Sequence, residues 1–525
     1  MQLPLSRMQR IGFSLIFLML CASVYTQFIA VGVGDTMISL VSARMLFMGK
    51  QLYRDVFTVQ QPLIIWIYML PVGLARLVHL PDKVLVVLIG LSVVASSVYT
   101  CNRVLAAHPC FADDDRNRSR HVLLLLSVFI TAANPTVFFD REHIFLLLIL
   151  PYLLRLMPSL ANAKINIKLR IVIGCMAGVG FCMKPHCAIV FVAIQLLCWM
   201  RTRRLSTFWT IENQFIYLTA MLYAASIFLL TPDYIYTVLP MTLETYSAAS
   251  MRINGLFYIA IALVLLGIAF ADFRWRAASP YRRDIYYLLA LCPAFLLYAL
   301  TNNGWGYTYN PLISFILILT GWVGLEYIWL KRDAEEKGMS GRPFLLGARA
   351  CALSLAAVMG FSSISGFYGV ATACTEHLKC SRVGRELIAA VGDAPSFGVI
   401  SGDFDIWARL SDATQAHWDT RFNHLWMMPK FFISGPDFTQ RHRWVLEYVE
   451  NALAVDMNIR KPEVIFVDNA DIFYLTPVHV DLIAYFSAFP AFKEAWGHYR
   501  HVQSISTCSQ PQKVHCNFEV YRRLH

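Results

Sequence analysis

Four short stretches carry the residues able to do chemistry. In VGVGDTM, Asp35 directly follows the first long apolar run. A carboxylate at such a boundary is partly desolvated, which raises its basicity and suits it to take a proton from a hydroxyl; the same position suits a helix N-cap. In FFDREHIFLLL, Asp140 and Glu142 lie two residues apart beside Arg141 and His143. Such a pair can hold one hard divalent cation, magnesium or manganese, or bracket a phosphate-bound metal; equally, Asp140 can cap a helix whose first turn holds Glu142. FCMKPHCAIV sets Lys184 and His186 around the helix-breaking Pro185, where cations can neutralise a phosphate or Lys184 can snorkel to an interface. TNNGWGYTYNP gathers Asn302, Asn303, Trp305, Tyr307 and Tyr309. Rings and amides together suit a sugar, whose faces stack while its hydroxyls need donors and acceptors, and they also suit an aromatic belt at headgroup level. PDYIYTVLPMTLETY adds Asp233, Glu244 and Tyr246.

The elements that must position these residues are set by composition. The 525 residues are 57% hydrophobic and only 15% charged, against about 25% charged in a soluble domain. Apolar runs near the length needed to cross a bilayer, about 20 residues, recur from Ile11 to Phe367 and then stop. The pattern reads as about eleven spans: Ile11–Val33, Val84–Ala107, His121–Phe138, Ile144–Met157, Ile171–Met183, Ala188–Met200, Phe215–Leu230, Leu256–Phe270, Ile285–Leu300, Leu312–Leu330 and Leu345–Phe367. The net charge of +11 is spread as short clusters between runs rather than over one face, which is a signature of topology and not of nucleic-acid binding. Arg116, Arg118, Arg120, Lys164, Lys168, Arg170, Arg201, Arg203 and Arg204 fall on the side of the N-terminus, the opposite loops hold far fewer, and the positive-inside rule places the N-terminus in the cytoplasm. An odd span number then exports the C-terminal segment. The four stretches above converge on that same outer face. Residues 34–83, between the first two spans, hold two amphipathic stretches, Ser39–Met48 and Pro62–Val78, expected to lie as helices in the membrane interface.

The expected domains are thus a membrane domain over 1–370 and an exported domain over 371–525. In the latter, the short apolar runs Ser396–Gly402 and Glu463–Asp468 read as strands and Trp444–Leu453 as a helix, giving a small α/β domain. Of 13 cysteines, Cys374, Cys380, Cys508 and Cys516 fall there. An oxidising compartment favours pairing, with Cys508 and Cys516 the preferred bridge and free thiols the alternative. No P-loop, dinucleotide fingerprint, G-x-S-x-G, H-E-x-x-H or paired C-x-x-C is present, so nucleotide, triad and zinc chemistry have no motif here.

The stretch GDTMISLVSARMLFMGKQLYRDVFTVQQPLIIWIYMLP resembles the acidic loop, interfacial helix, G-x-x-x-Y-x-D motif and proline-led helix of GT-C superfamily glycosyltransferases, in an uncharacterised bacterial branch. FDREHIFLLLILPYLL, the Lys184–Pro185 pair and NGWGYTYNP are similar to outer-loop patterns of the same group, and WDTRFNHLWMMP (Trp418–Pro429) resembles a segment of related sequences with no role attached. The resemblance implies a polytopic α-helical membrane enzyme of the bacterial inner membrane with a periplasmic α/β domain. Its donor would be a polyprenyl-phosphate sugar, its acceptor a lipid, glycan or protein hydroxyl, its mechanism inverting, and membrane lipids its surroundings. It makes Asp35 the catalytic base and puts Asp140 and Glu142 in place of a second acidic motif that binds a metal in some members. A single acid followed by Thr36, where the family has an acidic pair, leaves Lys184, His186 or Arg141 to serve the phosphate, with Trp305, Tyr307 and Asn303 at the sugar and Asp55 and Glu244 as further candidates. Two other functional classes fit the same features: a transporter or flippase of a lipid-linked glycan, and a non-catalytic envelope assembly protein, which deletion of Cys374–His525 would reveal by loss of partner binding alone.

Overall fold

The structure, a computed structural model, describes residues 7–30, 34–112, 114–131, 137–246, 282–301, 306–336, 382–402, 406–468, 480–506 and 517–524. The expected spans Leu256–Phe270 and Leu345–Phe367, the sugar candidates Asn303 and Trp305, and Cys374, Cys380, Cys508 and Cys516 lie outside the described residues. The chain forms two compact units. One comprises Met1–Val31, Lys83–Ala224 and Met251–Val370; the other comprises Gly32–Asp82, Ala225–Ser250 and Ala371–His525.

Along the first part of the chain run α1 (Arg7–Ala30), α2 (Asp35–Phe47), α3 (Pro62–Val78), α4 (Asp82–Leu105), α5 (Asp115–Thr131), α6 (Arg141–Arg155), α7 (Ile167–Phe181), α8 (Cys187–Thr202), α9 (Ile211–Leu230), α10 (Leu239–Thr245), α11 (Arg282–Leu289), α12 (Cys292–Thr301) and α13 (Asn310–Glu336). Helices α1, α4 to α9, the pair α11 and α12, and α13 stand where hydropathy placed spans. Among the described residues four helices are long and apolar enough to cross a membrane: Asp82–Leu105, Ile211–Leu230, Arg283–Thr301 and Tyr307–Glu326.

In the first unit α6 is the central rod, buried along nearly its whole length and packed on α7 and α13. It contains Pro151, which lacks an N–H and so leaves the carbonyl four residues earlier, that of Leu147, without its helical donor. The Ser97 hydroxyl of α4 donates to that carbonyl at 2.5 Å. Helices α7 and α9 approach closely because α7 presents glycine: a Cβ at Gly178 would lie 2.6 Å from the Cβ of Thr219, the small-residue contact that membrane helices use in place of a hydrophobic drive. At the far ends of these helices Glu212 is buried between Arg155 (3.2 Å) and Arg170 (2.7 Å). Asp284 accepts from the Ser159 hydroxyl and pairs with buried His108.

The second unit is built on a five-stranded sheet. Its elements are α14 (Arg382–Val391), β1 (Ser396–Ile400), α15 (Ile406–Ala413), β2 (His417–Trp418), α16 (Met428–Ile433), α17 (Pro436–Arg441), α18 (Arg443–Val455), β3 (Val464–Asp468), α19 (Leu482–Phe486), α20 (Pro490–Trp496), β4 (Tyr499–Ser506) and β5 (Asn517–Arg523). The strand order is β2-β1-β3-β5-β4, parallel from β2 to β3 and antiparallel from β3 to β4. Every residue of β1 and β3 is buried, as expected for parallel strands covered on both faces.

Segment 34–82 folds within this unit. Helix α3 has the expected bounds, with Pro62 at its first position, where a missing N–H costs nothing. In helix α2, Thr36–Ala43 and Met45 are all buried, and it packs on α3 and α15. Among its polar residues, Ser39 turns inward to protein partners. Ser39 donates to the Asp35 carbonyl (2.9 Å) and to the Gln60 side chain (2.8 Å).

Candidate functional site

Asp35 is the first residue of α2, preceded by Gly34 at φ +62°. That left-handed conformation favours glycine, and it brings the chain abruptly into the helix, so that Asp35 enters the first turn rather than the capping position. A carboxylate in a first turn meets the positive end of the helix dipole. Asp35 is half-buried. Its carbonyl, beside the Ser39 bond, also accepts from Gln60 Nε2 at 3.2 Å. Gln60 is itself fixed by Tyr53, whose hydroxyl donates to the Gln60 carbonyl at 2.6 Å.

The three further acidic candidates in this unit, Asp55, Asp233 and Glu244, are held by partners. Asp55 accepts from the backbone N–H of Gln51 at 2.7 Å and pairs with Arg460. Arg460 also reaches Asp456 at 3.2 Å. Glu244 accepts from the Trp444 indole at 3.1 Å, and Asp233 pairs with Arg54 at 2.6 Å.

In the first unit the structure brings together stretches that sequence reading treated separately. Asp140 takes the N-cap position of α6, yet its side chain makes no capping hydrogen bond; it lies 3.7 Å from Arg141 Nε. Glu142, in the first turn, is fully buried and forms an ion pair with Lys184 from the α7–α8 connection. The Lys184 ammonium sits 5.3 Å from the centroid of the Tyr307 ring, and Tyr298 of α12 directs its hydroxyl at the same Glu142 oxygen, 3.5 Å away. Asp140, Arg141, Glu142, Lys184 and Tyr307 thus belong to one cluster. Tyr298 had no signal in sequence, since it is one hydroxyl in the apolar run CPAFLLYALT.

The two histidines behave differently from simple cations. His143 accepts at Nδ1 from the Phe139 N–H (3.1 Å) and its Nε2 faces the Phe129 carbonyl (3.0 Å). It is therefore a neutral ring, donating through Nε2, that ties a turn containing Phe139 at φ +61° to the end of α5. Burial, then the neighbouring Lys184 charge, hold the pKa of His186 below its ordinary value. It can offer a hydrogen bond but adds no charge at neutral pH.

A divalent cation does not fit what the described residues offer. Among them no three His, Cys, Asp or Glu side chains gather as metal ligands. Glu142 already carries the Lys184 ammonium, and both nitrogens of His143 are used by backbone. The cluster is a compensated cation beside aromatic rings, suited to an anion that can share Lys184 with Glu142.

No family profile matches the chain, and no curated protein sequence matches it. Among solved structures, it aligns with a cryo-EM structure of a mutant of arabinofuranosyltransferase AftD from mycobacteria, at 14% identity and a TM-score of 0.47. The alignment covers 100% of this chain and 42% of that one, so the chain spans less than half the length of the structure it matches.

Proposed function

We propose that this chain is a membrane glycosyltransferase moving a sugar from a polyprenyl-phosphate donor to an acceptor hydroxyl. The observation that carries the reading is the Lys184–Glu142 ion pair, buried beside Tyr307 and Tyr298. Placing two charges in an apolar helical unit is expensive, and ionisable groups inside membrane domains mark functional sites by default. A lysine whose charge is shared between a carboxylate and an aromatic face can turn to a phosphate as negative charge develops there. In this reading Asp35 removes the proton from the acceptor hydroxyl. The acceptor oxygen forms the new bond to the anomeric carbon with inversion, the bond to the phosphate oxygen breaks, and the departing polyprenyl phosphate is stabilised by Lys184. The tyrosines meet the sugar, and the inner bacterial membrane with an outward-facing site is the setting the charge pattern supports.

The test is incubation of the purified protein with a panel of polyprenyl-phosphate sugars and acceptor extracts, alongside Asp35→Asn. Transfer by the parent and a loss of about 10²–10⁴-fold in the variant, with folding intact, is the expected result; an Asp35→Asn protein as active as its parent sinks the base assignment. The same buried ion pair also suits a carrier of a lipid-linked glycan. In proteoliposomes a carrier would move the substrate across with its glycosidic bond intact, and that outcome would replace the transfer reading.

A further inference from the structure

The segment Trp418–Pro429, which the proposed chemistry leaves without a role, threads through the second unit making contacts of one kind. We infer that it is the positioning element of Asp35, and that Asn423 is the residue through which it acts; the inference rests on Asp35 as the base. The Phe57 N–H donates to the Arg421 carbonyl at 2.8 Å, and the Asn423 N–H donates back to the Phe57 carbonyl at 3.3 Å. These bonds form a short parallel bridge between Phe57 and Phe422. Phe57 is then enclosed by Phe422, Trp426 and Tyr448, with ring centroids 5.1, 6.5 and 5.4 Å away. From this bridge Asn423 Nδ2 donates to Thr58 Oγ1 at 3.3 Å. The same hydroxyl oxygen accepts the Gln60 N–H at 3.3 Å, and the Gln60 amide holds the Asp35 carbonyl and Ser39.

Asn423, Thr58 and Gln60 are each at most 2% exposed. In a buried chain of this kind no water is on hand to replace a lost bond, so an error at one end is passed to the other. The anchor is equally firm at its base. Arg421 grips Asp456 through its backbone N–H (2.8 Å) and its guanidinium (2.9 Å), and Thr420 is bonded to Val399 of β1. The sheet thus sets the segment, the segment sets residues 57–60, and Gln60 sets the turn that begins with Asp35. Asn423 is a positioning residue, two hydrogen bonds removed from Gln60.

The test compares Asn423→Ala and the isosteric Thr58→Val with Val520→Ala, a core truncation in β5 that touches none of this chain. Deuterium uptake by the Gly34–Ser42 peptide of the full-length protein is expected to rise about ten-fold in the first two variants and to stay unchanged in the third, even where its melting midpoint falls further. In the transfer assay the first two are expected to lose kcat by about 100-fold with KM for the donor within about two-fold, a split that general destabilisation does not produce. Uptake unchanged in both Asn423→Ala and Thr58→Val overturns the inference, as does equal uptake in Val520→Ala. A parent inactive with every donor counts against the transfer reading alone, because the exchange comparison is decided without substrate.

Discussion

Lys184→Met separates what the buried ion pair does for folding from what it does for chemistry. The side chains of Lys184 and Glu142 are 5% and 0% exposed, so the substitution leaves a buried carboxylate in an apolar helical unit without its ion-pair partner, beside the Tyr298 hydroxyl and the neighbouring Arg141. Removing one partner of a buried pair costs about 3–5 kcal/mol. At 2–4 °C per kcal/mol this is on the order of a 10 °C fall in the melting midpoint, read by intrinsic fluorescence in detergent. Adding Glu142→Gln removes the stranded charge, and the double variant should recover most of the midpoint, because replacing a whole buried pair by groups of similar volume is close to neutral. Transfer should not recover with it. The leaving phosphate has lost its cation, a deficit of about 10²–10³-fold. A double variant that transfers sugar at the parent rate refutes the assignment of Lys184 to the phosphate. A single variant with an unchanged midpoint refutes the buried pair itself.

Ser97→Ala strips the donor from the Leu147 carbonyl and should cost about 1–3 kcal/mol, while adding Pro151→Ala restores a helical N–H and recovers part of it; equal midpoints for the single and double variants would contradict the account. Asp55→Asn should leave transfer within about ten-fold, because its partner Arg460 keeps Asp456 and a part-exposed pair is worth about 1 kcal/mol or less; a loss on the scale of Asp35→Asn in a folded protein would return Asp55 to the chemistry. Burial first, then Glu447, push the Glu450 carboxyl up to about 7, against the opposing charge of Arg443. The folded state then holds a proton that the unfolded chain releases near 4.5, so stability falls as pH rises from about 4.5 to 7. Melting curves across that range should slope less in Glu450→Gln, and parallel slopes would count against the shift.

The parts of the fold legible in sequence are those whose signal is local. Pro62 marked the start of α3, the unbroken apolar runs marked β1 and β3, and the WVLEYVENAL periodicity marked α18 inside Arg443–Val455. The burial of helix α2 was not legible, because the Gln60 side chain that pairs with Ser39 lies 21 residues further along. Strand β4 gave no alternation to read, since Arg500, His501, Val502, Gln503 and Ser504 are all exposed. In the site, the candidate types were visible but their grouping was not. The spacing of 42 residues between Glu142 and Lys184 carries no pattern, and a fold is required to make them a pair.

The second unit also changes what a truncation can report. Three separated stretches of chain form it, and the segment 34–82 depends on the C-terminal one for much of its pairing. Arg44 reaches Asp412 at 3.0 Å, Lys50 reaches Asp419 at 3.2 Å, Asp55 pairs with Arg460, and both backbone groups of Phe57 are bonded to Arg421 and Asn423. Deleting Cys374–His525 would therefore strand buried Phe57, Thr58 and Gln60 and loosen the turn that carries Asp35. An inactive truncation is what an enzyme gives, and lost partner binding is what an assembly protein gives, so the deletion does not separate the two. Point substitutions on exposed C-terminal side chains do, because they leave the Asn423–Thr58–Gln60 chain intact while altering the surface that a partner or acceptor would touch.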